Sequence, residues 1–174
     1  PIDYVAVSIP EPMAGMTPSY LARIESEGIE RDENSNIYCR NGVIWYDVDS
    51  EENLDPNTAV FEPGHCYGVQ ILLKTTPGMV FALNEEGYPT VTGSVNDTTD
   101  YVYVESYTQE PSTQVMLTTS FCIEEDAEIA EPITQITLSD LDAPVVDQPF
   151  DYTYNWDYMQ YVSPSYSMDG DYTL

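Results

Sequence analysis

Tyr4-Val5-Ala6-Val7-Ser8-Ile9, followed at once by Pro10-Glu11-Pro12, is the stretch whose reading decides the fold. Val5, Val7 and Ile9 fall on one face of an extended chain, and Tyr4, Ala6 and Ser8 on the other. This is the two-residue period of a strand with one buried and one wet face. The same texture recurs along the chain. Candidate strands are Tyr4 to Ile9, Ser19 to Ile24, Ile37 to Tyr46, Cys66 to Thr75, Met79 to Leu83, Thr90 to Ser94, Tyr101 to Tyr107 and Val115 to Ile123. All are short and rich in β-branched and aromatic residues. Between them lie Glu62-Pro63-Gly64, Thr76-Pro77-Gly78 and Glu86-Gly87-Tyr88-Pro89, whose Pro and Gly suit turns and interrupt helices and central strands alike. Short strands at this spacing predict an all-β, two-sheet sandwich.

Composition narrows the class of function. The chain has 174 residues, enough for one sizeable domain or one domain and part of another. Against 31 Asp and Glu stand only Arg23, Arg31, Arg40 and Lys74, for a net charge of −27. Such a field repels phosphate backbones and anionic lipid headgroups. No basic stripe is present to offset it, so nucleic acid is a poor partner. Hydrophobic residues make up 42% of the chain and Tyr alone contributes 15, too apolar a composition for a disordered polymer. Apolar runs such as Val69 to Leu73 fall far short of a bilayer span, so direct membrane insertion is not expected. A chain opening at Pro1 reads as a processed or trimmed fragment, and the lack of a leader says nothing about export.

After Ile123 comes Glu124-Glu125-Asp126-Ala127-Glu128-Ile129-Ala130-Glu131, an acidic stretch read as a solvated connector. The expected organisation is a module at 1–123, an acidic linker at 124–131 and a further segment at 132–174. Their charges are −15, −5 and −7. The last segment holds only 43 residues, usually too few to close a core alone. It repeats the opening of the chain: Pro132-Ile133-Thr134-Gln135-Ile136-Thr137-Leu138-Ser139 answers Pro1 to Ser8, with Ile133, Ile136 and Leu138 in place of Ile2, Val5 and Val7. Trp156 answers Trp45, and Gly170 to Leu174 answers Gly64 to Val69 with small length changes. The segment is therefore read as a partial second copy of the same domain, as in tandem arrays.

A leading strand with Val5 and Val7 is followed by Pro12, Gly15 and Pro18 in P-x-x-G-x-x-P, then Trp45, and Phe61, Gly64 and Tyr67 in F-x-x-G-x-x-Y. Gly78 and Phe81 follow as G-x-x-F, and an aromatic strand closes the domain. This order resembles the immunoglobulin-like tandem repeats of secreted and surface-attached proteins of Gram-positive bacteria, over residues 1–123 and more weakly over 132–174. The resemblance implies an immunoglobulin-like sandwich with Trp45, Phe61, Tyr67 and Phe81 in its core. It also implies export or surface display, a spacer or adhesive role beside neighbouring repeats of the same protein, and no catalysis. The sequence departs from that pattern in the extended acidic stretch Asp47 to Asp55, where such repeats have a short turn.

That stretch is the first candidate site. Asp47, Asp49, Glu51 and Asp55 supply hard oxygen ligands within one loop, and Ca²⁺ is the ion they would take. The turn glycine and terminal Glu of a calcium loop are out of register, and the alternative is a solvated hairpin. Lesser oxygen clusters are Asn96-Asp97 with Asp100, and Asp169 with Asp171. A second candidate site is aromatic: Tyr101, Tyr103 and Trp156 could stack on sugar rings or on a surface protein, giving a carbohydrate- or protein-binding module. The alternative is an ordinary strand of β-prone Tyr and Val.

Cys39, Cys66 and Cys122 show no CxxC spacing. They are read first as buried thiols acting as small hydrophobes, then as one disulfide plus a free thiol, and last as a zinc site with His65. His65 beside Cys66 suggests a dyad, but strand neighbours point to opposite faces. Lys74, the only lysine, could attack an Asn amide in a cross-link, with an ordinary ion pair as the simpler reading. No triad, dinucleotide fingerprint, P-loop or metalloprotease motif is present, so the chain is read as a non-enzyme. Adaptation of an ordinary domain to high salt is a further reading of the acidity.

Overall fold

The computed structural model describes residues 1–130. They form one compact unit, Pro1–Ala130, with eight strands. These are β1 (Tyr4–Ser8), β2 (Arg23–Ile24), β3 (Ile29–Arg31), β4 (Val43–Asp47), β5 (Cys66–Thr75), β6 (Thr92–Val95), β7 (Tyr103–Glu105) and β8 (Gln114–Cys122). No helix occurs among the described residues. A three-stranded sheet has the order β2-β1-β6, with β1 and β6 parallel. A five-stranded antiparallel sheet runs β3-β5-β8-β7, and β4 also pairs with β5. The class is all-β with two sheets, as in a sandwich.

β5 is the spine of the larger sheet. Its residues 66–74 pair without a break against β8, from Cys66 opposite Cys122 to Lys74 opposite Gln114. Its other edge is shared: β4 covers Tyr67 to Ile71, and β3 covers Leu73 to Thr75. Between β3 and β4 the chain makes an excursion. Asn34 and Asn36 side chains accept N–H bonds from residues two positions on, and Asn41-Gly42 turns back with both φ positive. These local bonds compete with the ladder, so the strand predicted from Ile37 starts only at Val43. Met79 to Leu83, predicted as a strand, makes only isolated bridges at Phe81 and Leu83. Ser19 to Ala22 is likewise not strand, because Ser19 turns its carbonyl to the indole N–H of Trp45, 2.7 Å away.

The alternation read from the sequence defines the core. Val5, Val7 and Ile9 face Tyr67, Val69, Ile71 and Leu73 of β5 and Val115 and Leu117 of β8 in one buried cluster. Trp45, Phe61, Tyr67 and Phe81 are all buried within it. Trp45 meets Phe61 edge-on at 5.2 Å between centroids, and Phe61 tilts onto Tyr67 at 4.7 Å. Burying such rings contributes a few kcal/mol each, with about 0.5–1.5 kcal/mol more per well-oriented pair.

The two ends of the unit lie at opposite ends of β5. Ile2 donates to Val80 O and packs beside Gly28, whose carbonyl accepts from Thr76 just past β5. At the Cys66 end, Gly64 donates to Ile123 O, Gly15 to Phe61 O and Ala130 to Ala14 O. The acidic stretch expected to be solvated does expose its carboxylates, but it is fastened to the sandwich. Ala127 packs against the core, and a Cβ on Gly15 would lie 2.5 Å from Ile129 Cγ2. Small apolar residues between the acids supply the anchor. Gly15 also holds φ +84. Gly15→Ala should therefore lower stability by about 1–2 kcal/mol, the cost of left-handed backbone for an L-residue. It should also speed amide exchange at Ala130, and unchanged exchange there would show that residues 124–130 do not dock on this loop.

Candidate functional site

β4 and β5 pair in register up to Asp47 opposite Tyr67, so the loop between them starts and finishes at one place. Both strands then leave the sheet, and Asp47 and His65 meet. Their side chains bond at 2.8 Å, Asp47 Oδ2 to His65 Nδ1. The other Asp47 oxygen accepts the N–H groups of Asp49 and Ser50, which curls the loop back on itself. His65 stacks on Tyr67 two residues along the same face, with its Nε2 3.7 Å from Glu62. Glu62 N–H donates to the Tyr67 hydroxyl. An open groove of about 500 Å³ runs past this cluster, lined by Asp47, Leu54, Thr58, Val60, His65 and Tyr67 among others.

The electrostatics follow from these bonds. Backbone donation from Ser50, then the His65 bond, holds the Asp47 carboxyl below its ordinary range. The hydrogen bond to Asp47 pushes His65 up, reinforced by the charges of Asp47, Glu62 and Asp49. Asp47, Asp49 and His65 bring one donor atom each within 4.8 Å of one another, the only such group of three or more metal-ligating side chains among the described residues. Glu51 and Asp55, proposed with Asp47 and Asp49 from the sequence, are not in it. Glu51 takes φ 58, and Asp55 turns its carboxylate to the Asn57 N–H at 2.8 Å, opening a separate turn. The donor set is therefore two carboxylates and an imidazole, a mixture that suits transition metals better than the all-oxygen shell of Ca²⁺.

In sequence His65 stands next to Cys66 and 18 residues from Asp47, and the fold reverses that proximity. Cys66 is disulfide-bonded to Cys122, which lies directly opposite on β8, with 4.0 Å between Cα atoms. The reading of these cysteines as buried free thiols is therefore corrected: cross-strand register brings the pair together, and only Cys39 is free. A bonded Cys66 is no nucleophile and a bonded pair no thiolate ligand set, so the dyad and the zinc site with His65 fall as well.

The remaining candidates are scattered. Tyr101 is 76% exposed at φ 58, and Tyr103 on β7 is 63% exposed. Trp156, Asp169 and Asp171, with the whole repeat at 132–174, lie outside the described residues. Asn96 spends its amide on Ile9, accepting from its N–H and donating to its carbonyl. Lys74 faces Glu30 at 3.6 Å and Asp32 at 3.8 Å, the ordinary ion pair at the surface that is the simpler reading of this lysine. Asp32 is held by Gln114 at 2.8 Å and by the Tyr107 hydroxyl, tying the excursion between β3 and β4 to the start of β8. Burial, then the bond to Asp32, raises the Tyr107 hydroxyl.

No protein-family model, curated protein or solved structure matches this chain.

The His65 pair gives a signed pH dependence. A raised folded value means that its contribution is fully present below the unfolded value near 6.5 and is lost as pH rises through the higher folded one. The depressed Asp47 sets the acid limit, its contribution disappearing as pH falls below 3.8 through the folded value. His65→Gln should therefore cost stability at pH 5–6 and little above pH 8, judged as the difference in melting temperature between variant and parent at each pH. An equal difference at both would refute the ion pair.

Proposed function

We propose that the chain is a non-catalytic, immunoglobulin-like β-sandwich repeat of an exported, cell-surface or extracellular bacterial protein, acting as a spacer and adhesion module beside neighbouring repeats. The observation that carries this reading is the placement of Ile2 and Ala130 at opposite ends of the ten-residue β5. At about 3.3 Å per residue a unit of this kind adds roughly 30 Å of reach each time it is repeated. The Cys66–Cys122 disulfide supports export, since such bonds persist in oxidising compartments. Both His65 ring nitrogens face carboxylates, Asp47 and Glu62, an arrangement that holds a proton or a cation and leaves no hydroxyl or thiol activated.

A second reading, a carbohydrate- or protein-binding module, is favoured by Tyr101. A Tyr at φ 58 with an exposed ring is uncommon, and strained backbone gathers at binding sites. With Tyr103 nearby in sequence it would form the platform, and the Asp47 loop would supply a stabilising cation. One experiment separates the readings: pull-down and titration of the chain against soluble and insoluble polysaccharides, with Ca²⁺ and with a chelator. The spacer reading expects no saturable binding. Saturable binding lost in the Tyr101→Ala/Tyr103→Ala variant would replace it by the second.

A further inference from the structure

The placement of the two ends and of the disulfide together defines a path for tension. A pull at Ala130 travels up the chain through Ile123 to Cys122 at the end of β8, and there it meets the covalent bond to Cys66. The force crosses to β5 and continues through His65 toward Pro1, without running along β8. Everything from 67 to 121 is off the path: β6, β7 and nearly all of β5 and β8.

We propose that the Cys66–Cys122 disulfide is an extension stop. It deepens the spacer reading and rests on it for its use, since a spacer between a surface and a partner is a tether under load. Tension between the ends opens the unit only through residues 1–66 and 122–130. The strand-pair spine of the larger sheet stays covalently closed at its loaded end. β1, β2, β3 and β4 all lie in the path, and the two longest of them are sheared against their neighbours, β1 against β6 and β4 against β5. The stop is removable. Cys122 is exposed and Cys66 half-buried, so a small thiol reaches the bond in the folded unit. A dithiol thiolate bonds to one Sγ while the other leaves as a thiolate. The second thiol then closes on the first, leaving a cyclic disulfide of the reductant and two cysteine thiols.

The loop that the stop withholds spans a sequence separation of 56. At about 3.4 Å per residue it is worth roughly 190 Å of extended chain. The test is single-molecule stretching of the full chain through handles fused at its two termini, in the Cys39→Ala background so that no internal thiol competes. Oxidised and reduced forms of one and the same chain are compared, so the readout is the thiol-dependent difference alone. The oxidised chain should release about 190 Å less on opening than the same chain treated beforehand with a dithiol. Dithiol introduced under load, after the oxidised unit has opened, should yield one further step of about 190 Å, a readout that does not require the reduced unit to fold. Equal release in both states, or no thiol-dependent step, overturns the stop. Either result leaves the spacer reading to be judged by the polysaccharide experiment alone.

Discussion

The unit depends on one pairing, β5 with β8, whose register runs unbroken from Cys66–Cys122 to Lys74–Gln114. Every other part of the larger sheet attaches to one of these strands: β4 and β3 share the free edge of β5, and β7 covers β8. Their inward residues, Val69, Ile71, Leu73, Val115 and Leu117, form the floor on which Val5 and Val7 of the smaller sheet rest. The disulfide closes the pair at one end. By loop-closure entropy a loop of this length removes about 4 kcal/mol of freedom from the unfolded chain, a large share of a typical domain's 5–15 kcal/mol. In a chain with a net charge of −27 that contribution offsets self-repulsion that hydrophobic burial must otherwise overcome alone.

The parts of the fold that the sequence made legible are those where side-chain period and burial coincide. Cys66 to Thr75 was read with its true bounds because Pro-Gly turns stand on both sides of it. The Val5, Val7, Ile9 face was legible for the same reason. The errors lie where a local hydrogen bond wins over propensity. Asn34 and Asn36 cut off the strand predicted from Ile37, and the Trp45 indole claims the carbonyl of Ser19. β3 was missed because its three residues include Glu30 and Arg31, both exposed, and carry no alternation. Docking of residues 124–130 was hidden by charge: four carboxylates in seven residues mask Ala127, which packs against the core, and Ile129, whose Cγ2 lies beside Gly15.

At the candidate site the loop was legible and its geometry was not. Asp47 and Asp49 were found from the density of oxygen ligands. Glu51 and Asp55 belong to different turns, which a count of carboxylates along the chain does not separate. His65 is distant from Asp47 in sequence and becomes its neighbour only through the β4–β5 register. The signal that could have found it is that two paired strands must end together, so that the residues just beyond their ends face one another. Cys66 and Cys122 follow the same logic, each at the same end of a paired strand. Both features sit at the end of the unit where Ala130 is fastened. Covalent closure, the ion pair and the docked acidic stretch are therefore concentrated at a single end of the sandwich.

The central claim is that the β5–β8 pair is the spine on which the rest of the unit is assembled. Residue-resolved hydrogen exchange under native conditions tests it most directly. Amides of Val69 to Leu73 and Val115 to Thr119 should exchange only through global opening, while those of β2, β3 and the excursion at 32–42 exchange through smaller, local openings. Protection greater in β1 and β6 than in β5 and β8 would contradict the account, because the smaller sheet would then hold the larger one in place.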